Sequence, residues 1–155
     1  MASNHSLKVL CNKIFRKKVK VSTWEKFLSE IHDINRIPPY IVNTTEKGVG
    51  HFLAVVQTDK KNVLLFDPLA SSLSELLMKP LIKTFHNAVY INRKKIQDDK
   101  SEYCGLFCLG FVHCYLQEKE EINSFFEMFH KDDLLKNDQI ISDYLLSSIM
   151  NANKY

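Results

Sequence analysis

The run from Cys104 to Leu116 constrains this chain more than any other segment. Cys104, Phe107, Cys108, Phe111, Val112 and Tyr115 fall on one helical face, and Leu106 and Leu109 make the opposite face apolar as well. A helix that is apolar all round has to be enclosed by the rest of the protein. With thirteen residues and His113 inside it, the run is shorter than the roughly 18 residues of a membrane span. The expectation is therefore a central helix of a globular domain, with no transmembrane segment. The chain can supply such an enclosure: 155 residues with 45% hydrophobic content make one domain that buries roughly two thirds of its unfolded surface. Charged residues at 25% and only eight Gly plus Pro exclude collagen-like, low-complexity and wholly disordered classes.

Around this helix the pattern alternates between helical and strand periods. Leu7, Leu10, Cys11 and Ile14 have helical spacing, and the basic run Arg16-Lys17-Lys18-Val19-Lys20 interrupts it. Ser22 with Glu25 reads as a capping box before the amphipathic stripe Trp24, Phe27, Leu28, Ile31. That helix should stop before Pro38-Pro39. Tyr40 to Asn43, His51 to Gln57 and Val63 to Asp67 read as strands, the last two joined as a hairpin through Thr58 to Asn62. Leu73 to Leu81 reads as helix, Ala88 to Asn92 as strand, Gln97 to Tyr103 as a polar loop, and Ile122 to Phe129 and Ile140 to Met150 as helices. An α+β domain over residues 1 to 155 is the expected class.

Three of the four cysteines lie in the apolar run, Cys11 being the fourth, so free thiols fit better than a secreted disulfide framework. Lys8, Asn12, Lys13 and Arg16 break up the first segment, so no cleaved signal peptide is expected, and an intracellular location is. Charge is uneven. Residues 1 to 20 hold six Lys/Arg and no acid, whereas residues 117 to 143 hold eight acids against three lysines. The basic stretch, with Arg93-Lys94-Lys95, is a candidate for non-specific contact with DNA, although such runs are commonly only solvated surface.

Cys104 opens the buried helix, where free N–H groups and the helix dipole favour a thiolate. A cysteine nucleophile needs an imidazole, a group to orient it, and donors for the oxyanion. His51 opens a strand just after Gly48-Val49-Gly50, whose small residues leave room for a substrate backbone. Asp67 closes the neighbouring strand, so a hairpin brings it within reach of the His51 ring. Gln97, seven residues before Cys104, can carry a side-chain amide to the oxyanion beside the Cys104 N–H. Each alone has a structural explanation as a core thiol, a strand-end histidine or an Asp-Pro turn. Zinc on Cys104, Cys108 and His113 is not expected, since no CxxC pair exists and His113 points off the face of the two cysteines.

Taken together these blocks resemble the adenain family of viral maturation proteases. Ile41-Val42-Asn43-Thr44 precedes a glycine-rich turn and His51; Leu65-Phe66-Asp67-Pro68 is similar to the family's Leu-Phe-acid-Pro block; Gln97 precedes Cys104-Gly105-Leu106-Phe107-Cys108, which leads to Phe111-Val112-His113. The resemblance covers residues 40 to 116 and implies His51 as base, Asp67 as orienting acid, Gln97 as oxyanion donor and Cys104 as nucleophile. It further implies a central mixed sheet flanked by helices, a monomer that acts on viral precursor proteins with no membrane partner, and work in the host nucleus and the virion. No cofactor or metal is implied for the chemistry; nucleic acid and an activating peptide are the implied stimulators. Ubiquitin-like-modifier proteases share the order of these residues and are the nearest alternative, and a catalytically inactive nucleic-acid-binding module is the alternative from another class.

Overall fold

Alternation of side chains along three short apolar strands builds a sheet that is buried on both faces. In the computed structural model, which describes residues 4–16, 18–31, 36–44, 51–58, 62–85, 88–117 and 122–152, the elements are α1 (Asn4–Phe15), β1 (Lys20–Thr23), α2 (Trp24–Glu30), β2 (Tyr40–Asn43), β3 (Phe52–Gln57), β4 (Val63–Phe66), α3 (Ser72–Phe85), β5 (Val89–Ile91), α4 (Cys104–Gln117), α5 (Ile122–Glu127) and α6 (Asn137–Ala152), the last preceded by one 3-10 turn, Leu134–Lys136. The five strands form one mixed sheet in chain order, β1-β2-β3-β4-β5. The inner pairs β2/β3 and β3/β4 are antiparallel, and the outer pairs β1/β2 and β4/β5 are parallel. Fold class is thus α+β, an open sheet flanked by helices.

Odd and even positions divide the core into two. Ile41, Phe52, Ala54, Val56 and Phe66 face a layer containing α1, α4, α5 and α6, with Leu7, Phe107, Cys108, Phe111, Phe125 and Ile141. Tyr40, Val42, Leu53, Val55, Val63 and Leu65 face α2 and α3, with Phe27, Ile31 and Leu81. Helix α4 has ten of its fourteen residues buried, which its two-sided apolar pattern requires. Phe66 stacks on Phe111 at 4.3 Å between centroids, tying the end of β4 to the middle of α4. Among the described residues no helix is long and apolar enough to cross a membrane.

The amino-terminal third differs from expectation. Lys20–Thr23, which the sequence pattern divides between the end of the basic run at Lys20 and a capping box opening at Ser22, is a strand, because Val21, Ser22 and Thr23 extend easily and pair with β2 from Tyr40 to Asn43. The strand runs on through Thr23, so the helix starts one residue too late for Ser22 to be its cap. Thr23 caps α2 instead, its hydroxyl accepting from Lys26 N at 3.3 Å, so Glu25 stands one position too early to close a capping box. Gly48-Val49-Gly50 and residues 59–61 of the hairpin connection lie outside the described residues.

Gly110 is where α4 meets α5 and α6. A Cβ there would run into the Ile141 side chain and stand 3.2 Å from the Phe125 ring. Gly110→Ala should therefore destabilise the fold by about 1–3 kcal/mol through overpacking, despite its better helix propensity. Urea unfolding checks this, and a variant as stable as the parent would show that α6 does not press on α4 here.

Candidate active site

The site begins with a carboxylate that the sheet forces underground. Asp67 follows the last residue of β4 and is completely buried. A buried carboxylate needs donors, and the turn after it supplies them. Oδ1 accepts from Leu69 N at 2.9 Å; Oδ2 accepts from Ser71 N at 2.9 Å and from Ser71 Oγ at 2.5 Å. Ala70, inside this turn, takes a left-handed φ of 47°. Asn92, just beyond β5, clamps the Asp67 backbone from the other side: its Oδ1 accepts from Asp67 N at 2.8 Å and its Nδ2 donates to Asp67 O at 2.7 Å. Burial pushes the Asp67 carboxyl up, but the hydrogen bonds and charge of His51 and the bonds from Ser71 outweigh it and hold it below the usual carboxylate range.

His51 stands one residue before β3. Its carbonyl accepts from Thr44 N at 2.9 Å and from Thr44 Oγ1 at 3.0 Å, which fixes the backbone as it enters the strand. The hairpin register pairs Ala54 with Phe66, so His51 and Asp67 meet on a diagonal, and His51 Nε2 lies 2.6 Å from Asp67 Oδ1. The Cys104 side chain acts on the ring as well, by hydrogen bonding and by charge. With Nε2 committed to the carboxylate, Nδ1 is the nitrogen left for the sulfur. Burial disfavours the charged ring, but the hydrogen bonds and charges of Asp67 and Cys104 more than compensate and raise His51 to about 9. The imidazolium is thus the resting form at neutral pH.

Cys104 is held against β3 through Phe52. Because the His51 carbonyl points to β2, the Phe52 N–H and carbonyl point to the β4 side, where Asp67-Pro68 has already turned away. Two sulfurs of α4 replace the missing strand. Phe52 N donates to Cys104 Sγ at 3.4 Å, and Cys108 Sγ donates to Phe52 O at 3.4 Å. Gly105 permits this approach, since a Cβ there would stand 3.1 Å from Leu7 and 3.4 Å from the Phe52 ring. Cys104 is also the first residue of α4, the end at which a helix dipole is positive. Cys108 differs: complete burial, then the neighbouring Cys104 and Asp67, push its thiol well above the ordinary range. Burial likewise raises Cys11 to about 12.

Gln97 is anchored to the same turn. Ile96 N and Gln97 N both donate to Pro68 O, at 3.0 and 3.1 Å, so the residue after Asp67 sets the height of Gln97. Its buried side chain donates from Nε2 to Ser101 O at 3.1 Å and to Ser101 Oγ at 3.4 Å. The structure thus joins His51, Asp67 and Cys104 through hydrogen bonds and ties Gln97 to the Asp67-Pro68 turn by backbone bonds. Sequence reasoning missed Ser71, Asn92 and Ser101. Ser71 had a signal, an Asp with a Ser four residues on in a turn; Asn92 had none, because only the β4/β5 pairing brings it to Asp67. His113, set aside as a ligand, lies with its Nδ1 2.7 Å from Tyr144 Oη.

No protein-family model and no curated protein matches this chain. Among solved structures, the central domain of the uncharacterized Lpg1148 protein from Legionella pneumophila is similar over 99% of this chain and 84% of its own, with a TM-score of 0.44 and 15% identity. A likeness of that degree assigns neither a fold family nor an activity.

Two outcomes follow from the Asp67–His51 pair. His51 is raised above its unfolded value of about 6.5, so its stabilisation is complete below that pH and is lost as pH rises through about 9. His51→Ala should flatten the fall in stability between those limits, measured by denaturant titration at each pH; an unchanged slope would place the titrating group elsewhere. Asp67→Asn turns an amide toward two Ser71 donors and should cost about 1–3 kcal/mol of folding stability.

Proposed function

We propose that this chain is a cysteine endopeptidase of the adenain type, with that family's fold, cleaving viral or virus-like precursor proteins. The observation that carries the reading is the hydrogen-bonded line from buried Asp67 through His51 to Cys104 at the start of a buried helix. In this mechanism the Cys104 thiolate attacks the scissile carbonyl carbon, and the carbonyl electron pair moves onto oxygen. The Cys104 N–H and the Gln97 amide stabilise that oxyanion. His51, resting as imidazolium, gives its proton to the departing amine, which leaves an acyl thioester on Cys104. Water, deprotonated by His51, then hydrolyses the thioester and restores the thiolate. Asp67 keeps the ring in plane and stabilises its charge.

The exposed basic residues Lys8 and Lys13 on α1, Arg16 and Lys18 after it and Lys20 at the start of β1 are proposed as the surface that meets nucleic acid. They lie on segments that carry none of the proposed catalytic groups.

Product mapping by mass spectrometry tests the reading, using a peptide library and the proteins encoded alongside this chain, with Cys104→Ala as the control. Cleavage should vanish in Cys104→Ala, and labelling by a thiol-reactive probe should require both Cys104 and His51. A folded Cys104→Ala protein that still cleaves would end the proposal; cleavage confined to ubiquitin-like fusions would move it to the ubiquitin-like-modifier proteases. Gln97→Ala should lower kcat by about 10²- to 10³-fold with KM little changed, and Asp67→Asn should lose less activity than His51→Ala. Hydrolysis should decline above pH of about 9, where His51 has no proton for the leaving amine.

A further inference from the structure

A second line of hydrogen bonds runs away from the site. The Ser101 hydroxyl donates to Asp138 Oδ1 at 2.7 Å, in the first turn of α6. A hydroxyl has one hydrogen and two lone pairs, so this bond leaves Ser101 Oγ purely an acceptor toward its other neighbours. Those neighbours are Tyr103 N at 3.1 Å, next to the nucleophile, and Gln97 Nε2 at 3.4 Å. The Ser101 carbonyl is a further acceptor for Nε2. Gln97 Oε1 is buried with no hydrogen-bond partner among the described residues, so the amide is held from its nitrogen end alone. Next to Asp138, fully buried Asn137 donates from Nδ2 to Ile96 O at 2.7 Å and pins the backbone that carries Gln97.

We infer that Ser101, with its hydroxyl polarised by Asp138, is the positioning residue that keeps the Gln97 NH2 group, rather than its carbonyl, in place for the oxyanion. The inference rests on the reading of Gln97 as an oxyanion donor. The physical reason is the direction of the bonds. While Asp138 takes the Ser101 hydrogen, only acceptors face the amide, and a flip that brought Oε1 to them would set oxygen against oxygen. Without Asp138 the hydroxyl hydrogen is free to turn toward Gln97 and bond Oε1, which offsets the repulsion from the Ser101 carbonyl, so the flipped amide gains population and the oxyanion loses part of its donor. An amide nitrogen has two hydrogens, and the carbonyl and hydroxyl of one residue can share one of them, which frees the other for substrate.

Two generic probes separate this role from a structural one. p-Nitrophenyl acetate acylates the cysteine through a tetrahedral oxyanion that collapses to an acetyl thioester and p-nitrophenolate, whereas iodoacetamide alkylates the same thiolate by displacing iodide with no oxyanion. Ser101→Ala and Asp138→Ala should each slow acylation about tenfold and leave alkylation unchanged. Asp138→Asn, which keeps an acceptor oxygen, should recover most of the rate. In a Gln97→Ala background, already slow to acylate, Ser101→Ala should add less than about twofold, since it acts through the missing side chain. Normal acylation in Ser101→Ala and Asp138→Ala beside a slow Gln97→Ala, or a full further loss in the double variant, overturns the inference and leaves the proposed protease standing. Normal acylation in Gln97→Ala itself overturns both the donor assignment and this inference, and no acylation of the parent protein overturns the proposed function.

Discussion

A carboxylate with no access to water dominates the organisation of this protein. Asp67 is fully buried where β4 ends, and an ion in that position survives only if the surrounding chain offers it donors and a counter-charge. The turn through Ser71 and the ring of His51 are the response, and Asn92 clamps the backbone of the same residue. Each recruits a different part of the fold: the start of α3, the end of β5 and the entrance of β3. Pro68, having no N–H of its own, offers its carbonyl to Ile96 and Gln97 and so extends the arrangement to the loop before α4. Removing the charge would therefore loosen the turn into α3 and the entrance of β3, the two segments bonded to the carboxylate itself.

The two cysteine sulfurs on Phe52 show a similar economy of groups. A strand residue whose neighbour turns away normally exposes its amide and carbonyl to water or loses them to burial without a partner. Here a sulfur at the first position of α4 accepts and one a turn later donates, so Cys104 and Cys108 have opposite hydrogen-bond roles on a single residue. Burial and nearby negative charge keep Cys108 protonated, which suits a donor. Its chemistry follows from its place in the helix.

Much of the site was legible in the sequence because its members sit at ends of strongly patterned elements. His51 and Asp67 flank β-rich runs, and Cys104 opens a segment too apolar to be anything but buried. What could not be read depended on pairing between distant segments. β1 is a weakly apolar stretch with two lysines near it, and only its partner β2 makes it a strand. The cap of α2 is Thr23 rather than Ser22 for the same reason, since the strand runs on through Thr23 and the helix begins only at Trp24. Asn92, Ser101 and Asp138 are ordinary polar residues by composition; their meaning comes from three-dimensional neighbours 25 and 37 residues away.

The order of the sheet also imposes an order in time. Since each strand lies beside its sequence neighbour, a chain emerging from its amino end can add strands one after another without leaving a gap to be filled later. The histidine and its acid belong to that early assembly. Cys104 arrives only after β5, and its helix closes over a face already laid down. A nascent chain accordingly carries His51 and Asp67 before Cys104 has been made, so the line from carboxylate to sulfur closes only once α4 is added.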